Sequence, residues 1–186
     1  MSGLHTRIAG TIGCEGRYGI LETYLHRNLL WRASDLKLRK IEHESYVPSW
    51  SWMAYDGGIC FQDEKELPVG VVRWNISLRF DKDRDCDHSL IADVGKFQDC
   101  EMKLEGSLHA VFDLSETNRG WICYDIEDGK DILQEHCVVV GSTQNLEDYY
   151  ILLVRPTAVD GEYKRVGMGQ VSKNCLVRTQ ASVRVV

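Results

Sequence analysis

The chain has 186 residues, with 22 Lys and Arg against 28 Asp and Glu, a formal charge of −6. That length allows one domain of ordinary size or one domain with a short extension, and 44% hydrophobic with 27% charged residues excludes a disordered or fibrous chain. The negative balance gives no electrostatic footprint for nucleic acid, and 5 Trp and 8 Tyr against only 3 Pro point to an aromatic-heavy, β-rich domain.

Residues 1–16 are aperiodic and read as a loose lead-in or an edge strand, ahead of a single domain over 17–186. The first periodic stretch is 17–32, where Ile20, Leu21, Tyr24, Leu25 and Leu29 recur at three- and four-residue spacing and predict one amphipathic helix. Beyond Tyr46 the period changes to two. Trp74, Ile76, Leu78 and Phe80 alternate with polar neighbours, which predicts a half-buried strand. The stretch 101–114 alternates for longer, with Met102, Leu104, Leu108, Ala110, Phe112 and Leu114 on one face and Gly106 read as a bulge or bend. Asp128-Gly129 and Asp160-Gly161 sit between apolar runs and predict hairpins; Ile132–Leu133, Cys137–Val140 and Leu176–Val186 supply further strands. No strand–helix–strand alternation is present, so a parallel sheet is not expected. The expected fold is mainly β: an antiparallel β-barrel or closed sandwich with one helix packed against it.

The seven cysteines include no C-x-x-C pair, and an odd number cannot all pair within one chain. They read as free thiols of a reducing compartment. No apolar leader precedes Gly19 and no window approaches ~18 apolar residues. A cytoplasmic chain that neither enters a membrane nor binds nucleic acid is therefore expected. The run Asp81–His88 alternates carboxylates like the start of a calcium loop, but Cys86 stands where the glycine belongs and Ala92 where the bidentate Glu belongs, so a solvated turn is expected. Cys86 with His88, or His136 with Cys137, is at best half of a zinc site, and no metal is expected. No nucleophile elbow, P-loop or dinucleotide fingerprint occurs, and Gly167-Met168-Gly169 lacks the helix a phosphate cradle requires.

The most distinctive run is Tyr46-Val47-Pro48-Ser49-Trp50-Ser51-Trp52-Met53-Ala54. Two Trp at i and i+2 of an extended chain point to one side, as a core cornerstone or as the aromatic wall of a ligand pocket. With Leu29-Leu30-Trp31-Arg32 and Asp56-Gly57-Gly58-Ile59, this run resembles the region that follows the N-terminal domain of fungal heterokaryon-incompatibility (HET) proteins. Leu104-Glu105-Gly106-Ser107-Leu108 is similar to a strand of that region. Leu152–Pro156 with Gly161–Gly169 is similar to its closing hairpin. Met53-Ala54-Tyr55 departs from the small pair that usually follows the double Trp. The family's signalling stretches have no counterpart here, so none of their functional residues can be carried over.

What the resemblance implies is a barrel scaffold with a task of its own, in a fungal setting where secondary metabolism supplies bulky apolar molecules. The expectation is a cofactor-independent enzyme that cyclises an apolar intermediate, or joins it by cycloaddition, by holding it in a reactive fold. Trp50, Trp52, Tyr55, Trp74, Trp121 and Tyr163 are the expected packing residues. His109, on a face that can line an interior, and Arg165 are the polar donors. The alternative is a non-catalytic interaction module of fungal allorecognition. A packed interior and an exposed apolar patch would favour it, and a homodimer is compatible with either reading.

Overall fold

The computed structural model describes residues 7, 10–11, 13–34, 38–62, 77–83, 88–126, 132–143 and 146–186. It is mainly β, as the alternating pattern predicts, with one large antiparallel sheet and one short helix of defined bounds. In the lead-in, Arg7, Gly10 and Thr11 are helical. No described helix is long and apolar enough to cross a membrane.

The amphipathic helix expected over 17–32 is mostly something else. Strands β1 (Gly16–Arg17) and β2 (Ile20–Leu21) form a minimal hairpin across Tyr18 and Gly19, both at positive φ (47° and 78°). A 3₁₀ turn, Glu22–Tyr24, leads into α1 (Leu25–Asn28), and helical structure ends there. Gly19 accounts for the early break, since its left-handed backbone turns the chain and the indole of Trp52 lies against it. The stripe itself was a true burial signal. Ile20, Leu25, Leu29 and Leu30 all enter one core cluster, by way of a hairpin and a single helical turn.

Short strands follow: β3 (Trp31–Ala33), β4 (Arg39–Lys40), β5 (Tyr55–Asp56) and β6 (Ile59–Phe61), paired β3–β6 and β4–β5. The double-Trp run between them is not extended. Pro48–Ser51 turns, and Trp52–Ala54 is a 3₁₀ turn whose Ser51 hydroxyl accepts from Met53 N–H at 3.0 Å.

The large sheet contains β7 (Arg79–Phe80), β8 (Leu90–Phe97), β9 (Cys100–Glu105), β10 (Leu108–Asp113), β11 (Asn118–Tyr124), β12 (His136–Ser142), β13 (Asp148–Pro156), β14 (Glu162–Ser172) and β15 (Leu176–Val185). Its pairings make a closed circuit: β12 to β13 to β14 to β15 to β8 and back to β12. The β14–β15 link is parallel and spans only Glu162–Tyr163 against Arg184–Val185. From Gly167 to Val171 the same edge of β14 carries β11, beyond which β10 and β9 extend the sheet. β7 pairs with the start of β8; Trp74 and Ile76 of the strand expected there lie outside the described residues.

Two cores result, one on each face of β12 and β13. Leu90, Ala92, Val94, Val138, Leu152 and Val154 join Ile20, Leu25, Trp50 and Phe80 in the first. Phe97, Val111, Ile122, Cys137, Ile151 and Leu153 make the second. Strand β13 thus has no wet face, which explains why Tyr149–Val154 reads as an unbroken apolar run instead of an alternating one.

The hairpin at Asp160-Gly161 forms as expected, with Gly161 at φ 72°; Asp128-Gly129 lies outside the described residues. Ile132–Gln134 is a 3₁₀ turn and not a strand. The long strand expected over 101–114 is the β9–β10 hairpin, turned at Gly106 (φ 64°) and Ser107. Pairing Leu104 with His109 and Met102 with Val111 puts even positions of β9 on the face of odd positions of β10. The single apolar face therefore splits: Met102 and Val111 serve the second core, while the Lys103 ammonium sits 4.9 Å over the Phe112 ring. Leu104 and Leu114 are left exposed.

Gly167 and Gly169 explain their own presence. β11 crosses so close that a Cβ at Gly169 would lie 2.4 Å from the Trp121 carbonyl oxygen. Gly169→Ala is expected to cost about 2–3 kcal/mol in urea unfolding. Gly10→Ala, whose new Cβ meets nothing within 4 Å, should change stability by less than about 0.5 kcal/mol.

Candidate functional site

Arg165 projects from β14 into the protein, its side chain fully buried. Nε donates to Asp125 Oδ2 at 2.9 Å and Nη2 to Asp125 Oδ1 at 3.1 Å. Nη1 donates to the Leu29 carbonyl at 2.7 Å, and Nη2 to the Trp31 carbonyl at 2.5 Å. The guanidinium carbon also lies 3.3 Å from the centroid of a Trp31 ring. Burial pushes the Asp125 carboxyl above its ordinary value, while Arg165 works in the opposite direction.

Around this pair the double-Trp run is wired in. Arg165 N–H donates to Ser49 Oγ at 2.8 Å, and the Ser49 hydroxyl donates to the Val186 carbonyl. Trp31 Nε1 donates to the Trp50 carbonyl at 3.1 Å. The Tyr55 ring packs on Trp31 at 5.3 Å, and burial drives its phenol well above the usual range.

A second buried pair lies nearby. Arg155 Nη2 reaches Glu135 Oε1 at 2.6 Å, and the Tyr124 hydroxyl donates to the same oxygen at 3.0 Å. The His109 and Tyr124 rings meet at right angles, centroids 5.3 Å apart, with His109 Nδ1 buried and lacking a hydrogen-bond partner. Between the two pairs is a cavity of about 160 Å³ lined by Lys40, Ser49, Tyr55, Tyr124, Arg155 and Arg165, among others. That is room for a few waters at ~30 Å³ each, not for a bulky ligand.

The structure therefore brings Arg165 and Tyr55 to one small polar cavity, with His109 behind Tyr124. The other expected packing residues are dispersed. Trp50 is fully buried in the first core, edge-on to Tyr18 at 5.8 Å, with its Nε1 donating to the His88 carbonyl. Trp52 and Trp121 pack against the margin of that core. Tyr163 is buried, its hydroxyl donating to Gln180 Oε1 at 3.1 Å. Trp74 lies outside the described residues.

The roomier site is elsewhere. A groove of about 960 Å³ runs over β8, β12 and the start of β15. Gly95, Cys137, Val139, Leu176 and Val177 give it an apolar floor, with Tyr149 beside them. Arg79, Asp93, Lys173 and Arg178 are its charged lining, Asp93 and Arg178 paired at 2.8 Å. Burial pushes the Cys137 thiol up to about 12, so it is protonated at neutral pH. None of the expected site residues that are described lines this groove. Its signal was weak, since its residues come as short pieces of five strands scattered from Arg79 to Arg178 and form no motif. Among the described residues, no cluster of three or more His, Cys, Asp or Glu is placed to hold a metal ion.

Two predictions follow from this chemistry. Arg165→Met and Asp125→Leu should each cost about 3–5 kcal/mol by stranding a buried charge, and the double variant should cost clearly less than their sum in the same urea titrations. Burial holds the His109 and His136 imidazoles below their ordinary 6.5. The unfolded chain then binds protons first as pH falls, so their contribution to stability is intact above about pH 6.5 and declines below it. Thermal unfolding from pH 7.5 down to about 5.5 should show that decline, flattened in His109→Gln/His136→Gln.

No family model, no curated protein and no solved structure matches the chain.

Proposed function

We propose that the chain is a small-molecule-binding β-domain whose ligand, an apolar compound with an anionic end, lies in the groove over β8, β12 and β15. The groove itself carries the reading. Its volume of about 960 Å³ falls in the ~300–1,000 Å³ range of ligand pockets, and its floor is apolar. Arg79, Lys173 and Arg178 set three cationic groups against the single carboxylate of Asp93, which favours an anionic end on the ligand.

The chemistry such a site supplies is positioning. The Cys137 thiol is too weak an acid to serve at neutral pH, so rate enhancement comes from holding a reactive, flexible molecule in one fold, worth up to about 7–11 kcal/mol. Cyclisation or cycloaddition of an apolar intermediate without a cofactor is the reaction class that fits. The HET resemblance is carried in part by Trp31, Ser49 and Trp50, residues that build the Arg165 centre. It supports a shared scaffold, and the groove's own lining supports the ligand.

A second reading, an interaction module, is favoured by the fully buried first core and by exposed Leu104 on edge strand β9. Titration with a dansyl-labelled fatty acid separates the two. One saturable site is expected, with affinity at least tenfold weaker (about 1.4 kcal/mol) in Val139→Trp, which fills the groove. Lys173→Glu should weaken the carboxylate probe more than its alcohol analogue. Unchanged affinity in a folded Val139→Trp variant overturns the assignment.

A further inference from the structure

The second core holds three cysteines, Cys100, Cys137 and Cys175, on three different elements. Cys100 opens β9, and Cys175 closes the 3₁₀ turn Lys173–Cys175 that joins β14 to β15. The two segments are fixed against each other by backbone contacts: Gln98 N–H donates to the Cys175 carbonyl at 2.9 Å, and Phe97 is in register with Leu176. The two thiols share a hydrogen bond, whereas the Cys137 sulfur is served by the Gly95 N–H. Both Cys100 and Cys175 are free.

We propose that Cys100 and Cys175 form a redox-active thiol pair that a peroxide converts into an intrachain disulfide. This goes beyond the ligand groove and does not depend on it. The two sulfurs have unequal roles. Cys175 accepts the Cys100 S–H hydrogen bond, which lowers its pKa against the effect of burial, and Arg119 adds to the lowering. Donating that bond raises Cys100, as does burial. Cys175 is therefore the sulfur that ionises first, and the thiolate is the reactive form.

Both thiols are buried, so a small oxidant reaches them through a local opening of the surface beside Cys175. A polar depression of about 400 Å³ is lined by Arg119, Asp148, Ser172, Lys173 and Asn174, among others. Ser172 to Asn174 lead directly into Cys175, and Arg119 and Asp148 are close enough for their charges to act on its sulfur.

In the first step the Cys175 thiolate attacks one peroxide oxygen. The O–O bond breaks, hydroxide leaves and takes a proton to become water, and Cys175 becomes a sulfenic acid. In the second, the Cys100 sulfur attacks the Cys175 sulfur. The S–O bond breaks, and the departing hydroxide takes the Cys100 proton as a second water. Two electrons pass from the thiol pair to hydrogen peroxide, and a thiol reductant reverses the change.

The test is dilute hydrogen peroxide on the full chain, in a Cys14→Ser/Cys60→Ser/Cys86→Ser background that leaves Cys123 and Cys137 as the other thiols. Non-reducing peptide mapping should find Cys100 linked to Cys175. The unfolding midpoint should rise by about 5–10 °C, as expected for a disulfide closing a long loop, and dithiothreitol should reverse both changes. Cys100→Ser and Cys175→Ser should each abolish the linked peptide. If either variant fails to fold, the map of the parent background decides. Linkage through Cys137, or oxidation that leaves Cys100 and Cys175 unlinked, overturns the proposal.

Discussion

A guanidinium shut away from water must find all its partners inside the protein, and Arg165 finds them in distant parts of the chain. Its acceptors are the carboxylate of Asp125, just past β11, and the carbonyls of Leu29 and Trp31. Removing two charges from water costs several kcal/mol per ion, and attraction between them offsets this only when the remaining donors are also satisfied. The requirement reaches back to the N-terminal half. Leu29 and Trp31 turn their carbonyls to the Arg165 guanidinium, which fixes the path of the chain as it leaves α1. The same centre orients Ser49 and Tyr55, and through the Trp31 indole it fixes the Trp50 carbonyl. One ion pair thereby sets where the short strands, the double-Trp turn and the large sheet meet.

Much of this was legible in the residues, though often for a different reason from the apparent one. The alternation that predicts β-structure is real, and Asp160-Gly161 turns where such a pair should. The stripe from Ile20 to Leu29 marks burial correctly. It does not reveal that a hairpin precedes the helical turn, because periodicity records which residues are buried and not the path the backbone takes between them. The even-numbered alternation over 101–114 runs unchanged past a two-residue turn that reverses the face on which even positions lie, so the pattern reads as one long strand although the two arms of a hairpin present it to opposite faces.

The polar network was harder to see for a related reason. Asp125 ends the run Trp121–Tyr124, and Arg155 ends the run Ile151–Val154, so each reads as the wet end of an apolar strand. Only the fold shows that they face partners 40 and 20 positions away. Within the Ser-Trp-Ser-Trp run, Ser49 bridges two backbone segments, Ser51 caps a turn and Trp50 fills the first core. Its chemistry is architectural, and the open volume lies across the sheet, over strands whose outward residues attract no notice individually.

The closed circuit of strands has a consequence for how the protein is made. Its one parallel link, two residues of β14 beside two of β15, also joins the last strand of the circuit to be synthesised. β8 and β14 are both in existence before the segment that holds them together leaves the ribosome. Until then Leu90, Ala92 and Val94 lack Val183 and Val185 as neighbours in the first core. The contacts that complete the fold are separated by most of the large sheet, and such long-range closure is slow compared with forming a hairpin. From the synthesis of β8 until β15 follows it, a nascent chain of this protein therefore carries an open apolar seam.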